Sequence, residues 1–174
     1  SKSVFGQVEV PASDQFKVIG GLRYSSNKRS ANYLNASFVF GSGTARQDFD
    51  LINPVVNPLK SDDSKTTWLI GLNYTPSDRT LVYGKVTTGF KGGGFDSDSA
   101  FKPETNTAFE VGMKKEFGQH LLNLSAFRYD YEGLQNAVLL NNALGGLIFN
   151  AGKATINGLE ADFRYQLTPN DRLT

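Results

Sequence analysis

Residues 66–90, TTWLIGLNYTPSDRTLVYGKVTTGF, contain two stretches with strand-forming residues on either side of a turn sequence. In the first stretch, large apolar or aromatic residues occupy every second position from Trp68 to Tyr74, which is the period of a β-strand. In the turn, Pro76 presets φ, while Ser77 and Asp78 can bond the local backbone. The stretch therefore predicts a β-hairpin with strands at 66–74 and 80–90.

The same chemistry continues outward in both directions. Residues 11–14 (PASD) and 169–171 (PND) repeat the turn signal, and no stretch shows a sustained helical pattern of apolar residues. The chain is therefore predicted to be all-β. The further predicted strands lie at 2–10, 16–27, 105–117, 121–132 and 155–166, with an eighth opening at Arg172.

Short and long connections alternate strictly between these strands. The short links are 11–15, 75–79, 118–120 and 167–171, and the long links are 28–65, 91–104 and 133–154. Transmembrane barrels have short periplasmic turns and long extracellular loops, whereas soluble sandwiches do not require the alternation. The pattern predicts an antiparallel up-and-down transmembrane β-barrel, here a partial barrel of about seven or eight strands.

Side-chain alternation predicts two different faces in four of the strands. One face is apolar, and the charges fall on the other. Alternation alone would also suit a soluble, half-buried sheet, but the aromatic residues near the strand ends favour two interfacial girdles. Those near the short turns are Phe16, Tyr74, Phe117 and Tyr165, and those near the long loops are Tyr24, Trp68, Phe90 and Tyr131. The strands at 80–90 and 121–132 do not reveal which face is apolar.

Composition excludes several classes of function. The 18 basic and 17 acidic residues nearly cancel, so the chain lacks the charge expected of a nucleic-acid partner. There is no cysteine, which removes disulfides and thiolate chemistry. Uninterrupted apolar runs reach only about four residues, far fewer than the roughly 18 of a membrane-spanning helix.

Three segments, in this order and spacing, resemble one known family. They are GFKGGGF at 89–95, KPE at 102–104 leading into FEVGMK at 109–114, and NAGKATINGLE at 150–160. The chain is thereby similar to the carboxyl-half barrel of TonB-dependent receptors. The resemblance implies a plugged outer-membrane barrel of about 22 strands that imports a scarce extracellular ligand with energy transmitted through TonB.

The resemblance implies a domain organisation, a location and partners for this chain. We expect residues 1–174 to be a single barrel segment without a plug domain, located in the outer membrane of a Gram-negative bacterium. Its expected partners are outer-membrane lipid, a transported small molecule such as an iron–siderophore complex, and TonB through the missing plug domain. No enzymatic activity, cofactor or metal is expected.

Candidate functional residues follow from these expectations. Residues expected to contact ligand are Tyr33, Phe38, Arg46, Phe90, Lys91 and Phe95. Charges expected to face the lumen are Arg23, Glu110, Lys114, Glu160, Asp162 and Arg164. The sole histidine, His120, lies in a predicted short turn, away from the loops where a barrel hydrolase would need it. The glycines at 92–94 lack the ending of a phosphate-binding loop, and their simplest interpretation is a flexible turn.

Two other functions remain open on the sequence. A passive, porin-like barrel would share the strand pattern, and a soluble β-sandwich binding module would share the alternation. The ligand itself is also open, because iron–siderophore, haem, cobalamin and oligosaccharide importers share this barrel.

Overall fold

The computed structural model describes residues 1–39, 50–95, 100–139, 146–166 and 171–173. Those residues form twelve strands and no helix. The strands are β1 (Lys2–Pro11), β2 (Phe16–Val39), β3 (Asp50–Ser77), β4 (Thr80–Lys91), β5 (Gly94–Phe95), β6 (Ala100–Phe101), β7 (Glu104–Phe117), β8 (His120–Glu132), β9 (Gln135–Leu139), β10 (Gly146–Asn150), β11 (Lys153–Gln166) and β12 (Arg172–Leu173).

Eight strands form one sheet in the order β1-β2-β3-β4-β7-β8-β11-β12, and each pair of neighbours is antiparallel. This confirms the predicted up-and-down, all-β arrangement. Two small hairpins, β5–β6 and β9–β10, occupy the predicted long loops. No helix long and apolar enough to cross a membrane occurs in the described ranges.

The first short turn shows the predicted turn chemistry. The Ser13 hydroxyl accepts hydrogen bonds from the backbone N–H groups of Gln15 and Phe16, at 3.3 and 3.2 Å. Gly118, with φ 65°, occupies the first central position of the two-residue turn between β7 and β8, where a positive φ favours glycine. Of the predicted turn at 167–171, residues 167–170 lie outside the described residues.

The register shows which residues of the main sheet share a face, because directly paired residues on neighbouring strands point to the same side. Leu72 pairs with Gly84, and Val111 pairs with both Gly84 and Ala126. The even-numbered residues of β4 and β8 therefore share the apolar face with Leu72 and Val111. Tyr131 lies on the opposite, polar face, paired with Asn106, so its predicted place in an outward-facing girdle is wrong.

The apolar face is exposed. Ile70 and Val111 are each 60% exposed and Leu159 is 86% exposed, and no hydrophobic side chain among the described residues is buried. A soluble sandwich would bury this face against a second sheet to form its core. The β-sandwich alternative therefore finds no support in this packing.

The predicted loop at 28–65 is wrong over much of its length. β2 and β3 continue pairing as far as Val39 and Asp50, with a register shift between Asn35 and Ser37. Pro54 lies opposite this shift, as expected for a residue that cannot donate to the ladder. A bilayer needs only about 9–11 strand residues, so this hairpin extends well beyond one.

Aromatic rings cluster at the end of the sheet with the short turns. Phe16 stacks on Tyr74 with ring centroids 4.6 Å apart, and His120 stacks on Tyr165 at 4.3 Å. His120 Nδ1 also accepts a hydrogen bond from the backbone N–H of Gln166, at 3.2 Å. The histidine thus joins the turn between β7 and β8 to the end of β11, which is a structural role.

Candidate functional site

At the end of the sheet with the long links, the side chain of Asn150 bonds the backbone of Lys102. Its Oδ1 accepts from Lys102 N–H at 2.7 Å, while its Nδ2 donates to Lys102 C=O at 2.8 Å. Nδ2 also donates to the carbonyl of Gly133 at 2.8 Å. One amide therefore joins the link that contains β5 and β6 to both ends of the link that contains β9 and β10.

Gln135, at the start of β9, makes a second set of connections. Its Nε2 donates to the carbonyls of Gly92 and Lys102, both at 3.1 Å, and its backbone N–H donates to Glu104 Oε2 at 2.8 Å. The Glu104 side chain is only 13% exposed, and Lys91 Nζ lies 4.0 Å from the same oxygen. We call Lys102, Glu104, Gln135 and Asn150, with the carbonyls of Gly92 and Gly133, the loop-stem network.

The glycines at 92–94 are buried against this network. A Cβ on Gly92 would come within 2.6 Å of the Asn27 amide, and one on Gly94 would come within 2.9 Å of the Arg29 guanidinium. A Cβ on Gly93 would come within 2.5 Å of the Phe101 carbonyl. Gly93 thus lies against backbone, whereas Gly92 and Gly94 lie against the ends of side chains. All three glycines are packed, which does not fit the flexible turn predicted for them. The same contacts bring the base of the β2–β3 hairpin against the network.

Near the long-link end of the sheet, an ion pair joins β2 to β3. Lys28 Nζ lies 2.7 Å from Asp62 Oδ2, and both side chains are well exposed. The hydrogen bond to Asp62 raises the pKa of Lys28, and the negative charge of the carboxylate adds to the effect. Because both side chains are well exposed, solvent screens this pair and it contributes little to stability.

A second polar group lies on the polar face, halfway down the sheet. Glu110 accepts a hydrogen bond from the Tyr83 hydroxyl at 2.8 Å through Oε1 and pairs with Lys85 at 3.0 Å through Oε2. Tyr83 and Lys85 belong to β4, and Glu110 to β7. The carboxylate thus connects two neighbouring strands with both of its oxygens.

The β-barrel model of TonB dependent receptor-like proteins matches residues 1–174. The chain belongs to this family. Members are outer-membrane β-barrels of Gram-negative bacteria, which confirms the expected localisation. The named relatives are receptors and transporters, which confirms that this is not an enzyme family.

Individual relatives are distant in sequence. The pesticin receptor of Yersinia enterocolitica is 24% identical over 165 residues, which cover 90% of this chain and 22% of the receptor. The vitamin B12 transporter BtuB of Vibrio vulnificus is 23% identical over 158 residues, covering 84% of this chain and 25% of the transporter. The chain thus spans about a quarter of the length of the curated relatives it matches.

Solved structures share the fold. The ferric yersiniabactin uptake receptor FyuA from Yersinia pestis superposes with a TM-score of 0.73 at 22% identity, over 96% of this chain and 24% of FyuA. The ferric-catecholate import receptor Fiu from Escherichia coli K12, in its closed form, gives 0.65 at 20% identity, over 96% of this chain and 25% of Fiu. Both similarities show that the fold of this chain is that of part of a TonB-dependent barrel wall.

The residues predicted to contact ligand are spread over several elements of this TonB-dependent barrel segment. Lys91 lies beside Glu104 at the loop-stem network, and Phe95 pairs with Ala100 in the β5–β6 hairpin. Phe90 lies on the apolar face, because it is an even-numbered residue of β4 like Gly84, which pairs with Val111. Tyr33 and Phe38 belong to the β2–β3 hairpin, and Arg46 lies outside the described residues.

The six charges predicted to face the lumen share the polar face. The register supporting this comes from pairs such as Arg23 with Phe5, Glu110 with Lys85 and Asp162 with Asn123. Arg23 donates to Ser3 Oγ at 2.8 Å and lies 5.7 Å from the centre of the Phe5 ring. Lys114, Glu160 and Arg164 complete the set.

The described residues contain no group of three or more His, Asp or Glu side chains placed to hold a metal. The carboxylates at 96 and 98 lie outside the described residues. Gln135 was missed by the sequence reasoning, since a lone glutamine carries no motif. Asn150 and Glu104 lie inside the segments that carried the family resemblance, and that resemblance was the available signal for them.

Proposed function

We propose that this chain forms part of the wall and the loop stems of a receptor that binds a scarce extracellular ligand, such as an iron–siderophore complex, and imports it in a TonB-dependent manner. The observation that carries the proposal is the loop-stem network, in which three family segments meet at one end of the sheet. Pre-organised loops favour binding because less entropy is lost when ligand orders them.

The two faces have different roles in this proposal. The apolar face contacts outer-membrane lipid, and the polar face with Arg23, Glu110, Lys114, Glu160, Asp162 and Arg164 lines the interior. The ion pair between Lys85 and Glu110 supports a wall whose charges largely satisfy one another. TonB would act through a plug domain outside residues 1–174.

Iron–siderophore cargo is favoured by the functions named for the relatives. FyuA takes up ferric yersiniabactin, and Fiu imports ferric catecholates. BtuB, however, is a vitamin B12 transporter, so the cargo class needs its own test.

The experiment is uptake by cells that express the full-length gene product in a host lacking its own siderophore and cobalamin receptors. The probes are ⁵⁵Fe-loaded yersiniabactin, a ⁵⁵Fe-loaded catecholate siderophore and radiolabelled cyanocobalamin. We expect one iron probe to accumulate, and accumulation to stop when TonB is deleted. Entry of all probes at equal rates, independent of TonB, would instead identify a passive pore.

A further inference from the structure

We propose that Asn150 and Gln135 are positioning residues that couple the links 91–104 and 133–154, so that the two extracellular loops move as one unit. The inference deepens the proposed receptor function and rests on it for its ligand-binding consequence. The structural coupling itself can be tested without any ligand.

Asn150 acts toward Lys102 as a neighbouring strand would. It satisfies both the N–H and the C=O of that residue, at 2.7 and 2.8 Å, across 48 positions of sequence. Loss of this amide would leave the Lys102 N–H without its present partner and would leave its C=O with Gln135 Nε2 as the remaining donor. The link 91–104 therefore depends on a side chain that belongs to the other link.

Gln135 supplies an independent connection in the same direction. Its Nε2 bonds carbonyls from both sides of the β5–β6 hairpin, those of Gly92 and Lys102. Its own N–H is held by Glu104, the first residue of β7. The hairpin is thus fixed at both of its ends by one residue of β9.

The base of the second link is equally constrained. Gly133 has φ 66°, and a Cβ there would come within 3.0 Å of the Pro103 carbonyl. Gly133 N–H donates to Gly152 C=O at 3.0 Å, and Ala151 N–H donates to Leu134 C=O at 2.7 Å. These bonds close the link directly beside the Lys102–Glu104 segment, so neither link can swing without disturbing the other.

The functional consequence concerns the entropy of ligand binding. Two independent loops would each lose conformational freedom when they close on a ligand, whereas a coupled pair is already ordered before binding. Asn150 and Gln135 would therefore raise affinity without touching the ligand. A ligand contact on either loop would also order the other.

The test is backbone hydrogen exchange of the full-length gene product in outer-membrane vesicles, read by mass spectrometry. Asn150→Ala should raise exchange at residues 100–104, in the other link, by about tenfold, because local opening becomes easier. Gln135→Ala should do the same at 92–95. Asn150→Asp should restore protection only at the Lys102 N–H, because a carboxylate still accepts there but cannot donate to the carbonyls of Lys102 and Gly133.

Asn136→Ala is the matched control, because Asn136 is the exposed neighbour of Gln135 in the same strand. It should leave exchange at 92–104 unchanged.

The second measurement is the Kd for ferric yersiniabactin at equal surface expression. We expect this Kd to rise about fivefold in Asn150→Ala. Unchanged exchange at 100–104 in Asn150→Ala and at 92–95 in Gln135→Ala would overturn the coupling. Faster exchange with an unaltered Kd would overturn the positioning role. If the wild type does not bind this probe, the siderophore proposal fails for that ligand, while the exchange data still decide the coupling.

Discussion

The ring of Tyr83 lies over Gly112, its direct partner across β4 and β7, on the polar face of the sheet. A Cβ on Gly112 would come within 2.5 Å of the tyrosine hydroxyl oxygen and the ring. The glycine therefore provides the space in which the ring lies flat, and from there the hydroxyl reaches Glu110 at 2.8 Å. Phe127 covers its own partner Gly158 in the same way, between β8 and β11.

Gly112→Ala should destabilise the folded barrel by about 1–3 kcal/mol, because the added methyl group forces Tyr83 out of its position. The hydrogen bond from Tyr83 to Glu110 would be lost with it. The measurement is a urea titration of the full-length gene product folded into lipid bilayers, followed by tryptophan fluorescence.

Gly84→Ala is the control for this substitution. Gly84 belongs to the same strand pair, but the nearest atom to a Cβ there is a Val111 methyl at 3.7 Å, which is an ordinary contact. We expect a change within about 0.5 kcal/mol. Equal destabilisation by both alanines would show that the glycine itself, rather than the ring above it, matters.

Val111→Arg should cost roughly 2–4 kcal/mol if the apolar face contacts lipid, because Val111 lies midway along β7 and an arginine there would enter the middle of the bilayer. Ser125→Arg is the matched change on the polar face, where Ser125 pairs with Gly112 and Glu160. It should cost about 1 kcal/mol or less. The same bilayer titration compares them, and a larger cost at Ser125 would reverse the assignment of the two faces. Gly112 itself cannot serve as the comparison, because Tyr83 occupies the space above it.

The sheet was largely predictable because its signals are local. Alternation of large apolar residues set the strands, and turn chemistry such as that of Ser13 set the short links. The facing of β4 and β8 was not predictable, since Tyr83, Phe127 and Tyr129 place aromatic rings on the polar face and weaken the alternation. Only the register with neighbouring strands shows which residues of β4 and β8 lie on the apolar face.

The long hairpin and the loop-stem network were missed for different physical reasons. Beyond the membrane, β2 and β3 have polar residues on both faces, as the pair of Lys28 with Asp62 shows. Such a segment has the composition of a loop even though its backbone is fully paired. The network depends on where Gln135 and Asn150 meet Lys102 in space, which no local pattern encodes.

Glu110→Ala should destabilise the barrel by about 1–3 kcal/mol, because Tyr83 loses its acceptor and Lys85 loses its partner. Glu110→Gln keeps an oxygen for the tyrosine hydroxyl and should cost clearly less. The Glu110 side chain is 19% exposed and that of Lys85 is 41% exposed, so solvent screens part of the ion pair. The two variants are compared by the same titration, and equal losses would mean that the hydrogen bond from Tyr83 contributes nothing.

Removing residues 30–60, so that Arg29 joins its partner Ser61 through a short glycine-containing turn, should lower ligand uptake at least tenfold, equivalent to about 1.4 kcal/mol in effective binding. The hairpin extends beyond the membrane, on the side of the sheet where the loop-stem network lies, and loops on such a scaffold commonly carry recognition. The deletion keeps Asn27 and Arg29, which contact the glycines at 92 and 94, so the network should survive.

Uptake is measured at equal surface expression with the iron probe that the wild type accumulates. Heat-modifiable mobility on gels tests whether the barrel has assembled. The controls lie at the opposite end of the sheet: Pro76→Ala at the register shift near the end of β3, and Asp78→Ala in the turn that follows. Both should disturb assembly more than affinity. Undiminished uptake by the deletion variant would show that residues 30–60 take no part in recognition and that capture depends on other loops or on the plug.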